Sequence, residues 1–512
     1  MKKVIIVGAG IGGLVSAIKL KHHGYDVTVI EKNERIGGKI NQIKKDGFTF
    51  DMGPTIVMMP ELYDEVFKYV GKDPNDYFTK TQLSPTNNIY FSLEDKVEVN
   101  TDLVQIAKIF EGMNEKEASG YLSYIDDIYE RYVVSNEHIL EKTSNKLSSI
   151  FNPKTLWDGF KLKTFDNTSH SVSKIAQSDH LRKLLSFQTL FIGISPYSRP
   201  SNYSANPMIE TLYGIWFFKG GMYGYIQGLE KLMNEMGIKI ITNTTVDEIF
   251  ITNGQAKGVV IGEDIFCADI VINNTDFPYA MKNLVKNEKH RPRYTNKKLE
   301  KMDYSSSAFM MYLGLDLKLD HLNVHNSYLS SDFEGNIKDI FSATLPKTPS
   351  MYFYVPSKLD PSLAPANHEA LYILVPVPSL KGVTQSWDKS FIQNFRKVVL
   401  NRIASENMIE NLEDHIVSET ILTPKDWESE VHAHYGATFG LAPTRRLSND
   451  FRPQPKFKGI QHFYHTGSSI HLGAGIPIVM MNAQLCVNEV LKHDPNGEPN
   501  ACSVYSKEYE NA

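Results

Sequence analysis

A short β-branched strand running into a glycine-rich turn, a glutamate closing the next strand, and a second glycine loop near the far end together predict an α/β protein. Its nucleotide-binding domain is discontinuous in sequence. Val4-Ile5-Ile6-Val7 reads as a central parallel strand buried on both faces, and it leads directly into Gly8-Ala9-Gly10-Ile11-Gly12-Gly13. In this G-x-G-x-x-G register Gly8 allows the tight turn and Gly10 lets the backbone approach a pyrophosphate. Gly13 lets the following helix, expected to about Lys21, pack close, with its N-terminal amides facing the anion. Gly24 stops that helix, Asp26 reads as a turn residue, and Val27-Thr28-Val29-Ile30 is the second strand, ending in Glu31. A carboxylate there accepts from the hydroxyls of an adenosine ribose and repels a 2'-phosphate, which disfavours NADP.

The second loop is Phe463-Tyr464-His465-Thr466-Gly467-Ser468-Ser469-Ile470-His471-Leu472-Gly473-Ala474-Gly475-Ile476-Pro477. It reads as strand, glycine loop and helix start, with Pro477 in the first helical turn and an apolar helix from Ile478 to Leu491. Lys239 to Ile249 reads as two short strands around a turn.

Bulk properties bound the function. A chain of 512 residues exceeds one ordinary core, so two or three lobes and a large cavity are expected. With 42% hydrophobic and 22% charged residues, and a mean hydropathy of -0.29, it reads as a compact soluble protein. A net charge of -5 argues against nucleic acid as a partner. Cys267, Cys486 and Cys502 are far apart and form no C-x-x-C or Cys/His ligand pattern, which fits a cytoplasmic setting and no metal site. Lys2 and Lys3 before an apolar run imitate a signal peptide, but the glycine register within that run favours the nucleotide strand. No stretch is apolar and long enough for a transmembrane helix.

Downstream of the first unit stand Glu31-Lys32-Asn33-Glu34-Arg35-Ile36-Gly37-Gly38-Lys39 and Phe50-Asp51-Met52-Gly53-Pro54-Thr55-Ile56-Val57-Met58-Met59-Pro60. Further on come Leu184 to Gly193, Lys219-Gly220-Gly221-Met222-Tyr223-Gly224 and Asn274-Thr275-Asp276-Phe277-Pro278. In these motifs the chain resembles the amine oxidase and carotenoid desaturase superfamily of flavoproteins. Over nearly its whole length it resembles bacterial carotenoid desaturases, and among them those acting on the thirty-carbon dehydrosqualene (4,4'-diapophytoene) more than the forty-carbon phytoene enzymes. It departs from the pattern at Lys39, where arginine is usual, and at Leu472, where proline is usual.

The resemblance implies a two-dinucleotide-binding-domain flavoprotein: a discontinuous Rossmann-like FAD domain, an inserted α+β substrate domain and a helical membrane-facing region. The expected division is 1–100, 216–280 and 431–495 for the FAD domain, 101–215 for the helical region, 281–430 for the substrate sheet and 496–512 for a tail. It implies FAD held by Gly8, Ala9, Gly10, Ile11, Gly12, Gly13, Glu31, Lys32, Gly37, Gly38 and Lys39, with Gly53, Pro54 and Thr55 beside the flavin. Val246 is expected against the adenine, and Gly467, Gly475, Ile476 and Pro477 complete the site. Asp51 is expected to serve the turn before the flavin loop.

The implied reaction is stepwise desaturation, in which FAD takes a hydride from a polyene and a neighbouring carbon loses a proton. His471 is the candidate proton acceptor, and it could equally hold its loop. Phe187, Phe191, Tyr203, Tyr213, Trp216, Phe217 and Phe218 would line an apolar tunnel or belong to the ordinary core. The implied partners are a hydrophobic polyene, oxygen or a quinone as electron acceptor, and the inner face of the cell membrane, touched peripherally. Phe151 to Phe165, with Trp157, or the eight basic residues between Lys282 and Lys301 could make that contact, or be solvated surface. Other outcomes of the same fold are phytoene desaturation, terminal-methyl oxidation, isomerisation, amine oxidation, and a non-enzymatic prenyl-binding escort.

Overall fold

The computed structural model describes residues 1–141, 168–197, 205–384, 386–444, 447 and 451–498. The nucleotide-binding half is built from β1 (Lys3–Val7), α1 (Ile11–His22), β2 (Asp26–Ile30), α2 (Met222–Glu235), β3 (Lys239–Ile241), β4 (Ile270–Asn273), β5 (Phe463–His465) and α3 (Ile476–His493). Its five strands are all parallel, in the order β5-β4-β1-β2-β3, so neighbouring strands such as β1 and β4, or β4 and β5, come from distant parts of the chain. Alternation in β1 explains its central place. Val4 and Ile6 pack under α1, α2 and α3, while Ile5 and Val7 face a second core with Val246, Val259, Phe277 and Phe463. An antiparallel meander, Glu248–Thr252, Gln255–Ile261 and Asp264–Cys267, covers that second face.

The other half is a seven-stranded sheet in the order Ile416–Leu422, Ser307–Leu315, Glu369–Val377, Met351–Tyr354, His325–Tyr328, Asn87–Tyr90, Lys96–Val99. Its strands come mostly from the middle of the chain, and two come from within the first hundred residues. One face packs on the helix Lys389–Ser405 through Phe309, Met311, Leu371, Ile373, Phe395 and Val399. The opposite face carries Tyr312, Tyr352, Tyr354 and Tyr372 and meets Phe48 and Phe50 of the nucleotide-binding half. Helices Leu103–Met113, Glu115–Glu141, Asp179–Phe187 and Asn206–Tyr213 close one end around a further apolar core.

Several expectations are corrected. Asp26 belongs to β2, because Gly24, with φ +83°, makes the turn alone. Lys239 to Ile249 does hold two strands around a turn, but they serve different sheets: β3 joins β2, and Glu248–Thr252 opens the meander. Phe217 and Phe218 are core side chains, and Trp216 packs against that core. Arg291, counted among the lipid-facing basic residues, is fully buried and donates to the carbonyls of Val285 and Tyr294 and to Asn296 Oδ1. Cys486 is a buried free thiol and Cys267 is disulfide-bonded, which the wide cysteine spacing did not foretell. Tyr203 and the segment 151–165 lie outside the described residues, and no helix among those described is long and apolar enough to cross a membrane.

Candidate active site

The first half of the site forms where β1 ends. Gly8 N donates to Ile30 O at 2.8 Å, and Gly37 N to Ala9 O at 2.8 Å, so the turn is clasped by both flanking segments. A Cβ at Gly13 would lie 2.4 Å from the Gly8 carbonyl oxygen; only glycine allows α1 this close to the turn. Gly37 has φ +116°, and a Cβ there would lie 2.1 Å from Ile40 O. The Glu31 carboxylate accepts from Ala9 N at 2.8 Å and Asn33 N at 3.0 Å, which fixes it at the carboxyl edge of the sheet. Thr244 N donates to Glu31 O at 2.9 Å, bringing the loop with Val246 beside that edge.

The second half is held from below by side chains. Buried Asn482 on α3 accepts from Leu472 N at 2.7 Å and donates to Gly467 O and Gly473 O, each at 3.1 Å. Arg452, buried, donates to Ser468 O at 2.7 Å and Ile470 O at 2.8 Å. Between the halves, Asn274 Nδ2 donates to Gly8 O at 2.9 Å and Gly10 O at 3.2 Å. None of these three residues was among the sequence-derived candidates. Asn274 sat inside a quoted motif, but its contact with the glycine turn spans 266 residues of chain.

Charge at the site is sparse and half-buried. Lys39 Nζ donates to Thr438 O at 2.7 Å; burial lowers its pKa while nearby Asp276 raises it. Asp276 accepts from the Ser469 hydroxyl and from His434 N at 3.0 Å. Lys32 Nζ is turned toward Ser429 O at 2.5 Å. Tyr279 and His432 stack with ring centroids 3.9 Å apart near Val246 and Glu31 on the cavity wall.

One cavity of about 1210 Å³ runs through all of this, above the ~300–1,000 Å³ usual for a single small ligand. At the nucleotide end it is lined by Gly8, Gly10, Ile11, Gly12, Glu31, Lys32, Gly37, Gly38, Lys39, Val246, Gly467, Gly475, Ile476 and Pro477. Gly53, Pro54, Thr55 and His471 line its middle with the sheet residues Met310, Tyr352 and Tyr372, and Met58, Met59, Phe187, Leu190, Ile192 and Ile209 line an apolar extension. Of the other site candidates, Ala9 donates to Glu31 and Gly13 packs behind the turn. Of the aromatics suggested for a tunnel, Phe187 is on the wall. Asp51 is buried below it, accepting from Met222 N at 3.0 Å and Tyr223 N at 3.3 Å at the start of α2, and burial raises its pKa to about 7. His471 Nδ1 is buried without a partner, and burial, with Arg452 beside it, lowers the imidazole pKa to about 4.

A family model described as flavin containing amine oxidoreductase matches residues 11–491. The chain belongs to that family. Gly8, Gly10, Gly12, Gly37 and Gly38 put bare backbone on the cavity wall, the Glu31 carboxylate stands at the carboxyl edge of the sheet, and the N-terminus of α3 opens on the same space, so the residues present fit FAD. As a flavin-containing oxidoreductase, the protein is similar to "4,4'-diapophytoene desaturase (4,4'-diaponeurosporene-forming)" of Staphylococcus haemolyticus, at 42% identity over 97% of this chain and 100% of the relative. The protein of that name in Staphylococcus aureus strain Newman is 40% identical over 97% and 100%. Among solved structures of this flavoprotein fold, an oxidoreductase from Methanosarcina mazei superposes with a TM-score of 0.62 at 16% identity, covering 96% of this chain and 100% of that one. Putrescine oxidase bound to putrescine gives 0.61 at 14% identity, covering 96% and 98%.

Proposed function

We propose that the protein is a carotenoid desaturase that converts dehydrosqualene (4,4'-diapophytoene) stepwise to 4,4'-diaponeurosporene. The observation that carries the reading is one cavity lined both by the glycine turns and by a set of apolar side chains. A polyene has no group for hydrogen bonds, so apolar walls must align it, and Met58, Met59, Phe187, Leu190 and Ile209 supply such walls. The names and full-length coverage of the two staphylococcal relatives support the substrate class.

FAD, when bound, supplies the hydride acceptor that an allylic C–H requires. Glu31 would accept from the adenosine ribose, the Gly8 to Gly13 turn and Lys39 would meet the pyrophosphate, and the 53–55 loop and the start of α3 would border the ring. His471 faces the cavity as a neutral imidazole at physiological pH, since its pKa is held near 4. A carbon beside an electron-deficient polyene centre is a strong acid, so even this weak base suffices to take its proton.

A substrate that dissolves in lipid supports an enzyme that works at a lipid surface, on the inner face of the cell membrane in our reading. Lys282, Lys289, Arg293, Lys297, Lys298 and Lys301 are exposed there for anionic headgroups. Reduced cofactor would pass its electrons to oxygen or a quinone.

Expression in cells that make dehydrosqualene, or separately phytoene, followed by pigment analysis tests the reading. Yellow thirty-carbon polyenes in the first strain are the expected result. Unchanged precursor in both strains refutes it.

A further inference from the structure

The loop from Asp51 to Thr55 borders the cavity where the two halves of the molecule meet, and four tyrosines of the substrate sheet reach it. Tyr354 OH donates to Asp51 Oδ2 at 3.3 Å, Tyr312 OH to Met52 O, and Tyr372 OH to Gly53 O at 2.8 Å. Tyr352 OH lies 2.7 Å from Thr55 Oγ1 and 2.6 Å from His325 Nδ1. All four rings are buried, and they come from three adjacent strands of one sheet. Strand alternation puts them on one face: Tyr352 and Tyr354 are two residues apart, and Tyr372 is paired directly with both Tyr312 and Tyr354.

An apolar core would be satisfied by phenylalanine at each of these positions. Four hydroxyls instead terminate on four different residues of one five-residue loop, in buried or part-buried hydrogen bonds whose loss leaves an orphan group. Burial raises the pKa of all four phenols, which keeps them neutral donors. His325 is likewise held neutral by burial, near pKa 3, and as a neutral ring it pairs with Tyr352 and leaves Thr55 the other side of that hydroxyl.

We propose that Tyr312, Tyr352, Tyr354 and Tyr372 are positioning residues that register the flavin-side loop against the substrate sheet, setting the gap between cofactor and polyene. This rests on the desaturase reading for the identity of the reactants, but not for the cradle itself. Hydride transfer is steep in distance, and a misplacement of about 1 Å costs on the order of a hundredfold. Phe50 and Met52 also pack on this face, but apolar contacts can slide, and among the described residues the hydrogen bonds that tie the loop to the sheet are those of these hydroxyls.

The test uses the FAD-loaded enzyme carrying Tyr352→Phe and Tyr372→Phe together. Flavin content, the visible circular dichroism of the bound flavin, and the rate of anaerobic flavin bleaching by dehydrosqualene are measured. The expected result is wild-type flavin content, an altered dichroism band, and bleaching slowed about tenfold or more with KM unchanged. Unchanged dichroism, or bleaching slowed by less than that, overturns the proposal. Should the double variant fail to retain FAD, Tyr312→Phe and Tyr354→Phe, which remove the contacts to Met52 O and Asp51 without touching the cavity wall, are judged by the same readings. If the wild type is not bleached by any polyene, the desaturase reading fails, while the dichroism of the variants still decides the cradle.

Discussion

Asp51 carries a conflict that single residues in this fold have to resolve. Its carboxylate takes two amides at the start of α2 and a tyrosine hydroxyl, all of which favour the charged form, yet burial prevails and lifts its pKa from 3.8 to about 7. A folded-state pKa above the unfolded value means that the folded chain binds the proton more tightly. Its stabilising contribution is therefore complete below pH 3.8 and is lost as pH rises through about 7. Asp51→Asn should remove this fall: chemical denaturation between pH 4 and pH 8 should show a flatter stability profile than the wild type. Gly13 poses a simpler steric question. Gly13→Ala pushes a methyl to 2.4 Å from Gly8 O, so we expect a loss of about 1–3 kcal/mol and depleted flavin, read from thermal melts and the ratio of flavin to protein absorbance.

Elements depend on side chains that anchor loops more than on their own propensity. The 467–475 loop holds itself with few backbone bonds, and Asn482, one turn and a half into α3, satisfies three of its backbone groups. Asn482→Leu keeps the number and branching of side-chain heavy atoms and is the better helix former, but it orphans Leu472 N and two carbonyls. We expect it to cost about 1–3 kcal/mol and to lower FAD occupancy, with the α-helical circular dichroism unchanged. Asn274 plays the corresponding part for the first glycine turn. Neither asparagine announces itself by pattern, because a polar residue on a buried helix face or at a strand end is as readily a surface or cap residue. Its meaning lies in partners distant in sequence.

At the scale of the molecule, distant pieces of chain line one cavity, and in our reading FAD would touch the glycine turn, the Val246 loop and the 467–477 loop. A ligand bridging such pieces stabilises by mass action: about 2.7 kcal/mol when free FAD is a hundred times its Kd. Removing FAD should therefore lower the melting temperature and increase proteolysis near the 467–475 loop, and re-adding it should reverse both, as scanning calorimetry and limited proteolysis would show. The two halves are coupled by the same loop that the tyrosines hold, so weakening the cradle should also reduce this gain on FAD addition.

The sequence by itself determined the βαβ unit, from Val4 through Gly13 to Glu31, because strand, turn, helix and strand-end carboxylate are close together in the chain and each is constrained by local geometry. The pairing of that unit with Gly467 to Pro477 was also legible, since glycine loops before apolar helices mark themselves. Only the tertiary structure decided which aromatics face the cavity, that Arg291 is buried, that Asp51 caps α2, and that four tyrosines converge on Asp51 to Thr55. The physical reason is range. Backbone conformation is set within a few residues, whereas burial, pKa and hydrogen-bond partners are set by whichever distant strands the sheet order places alongside.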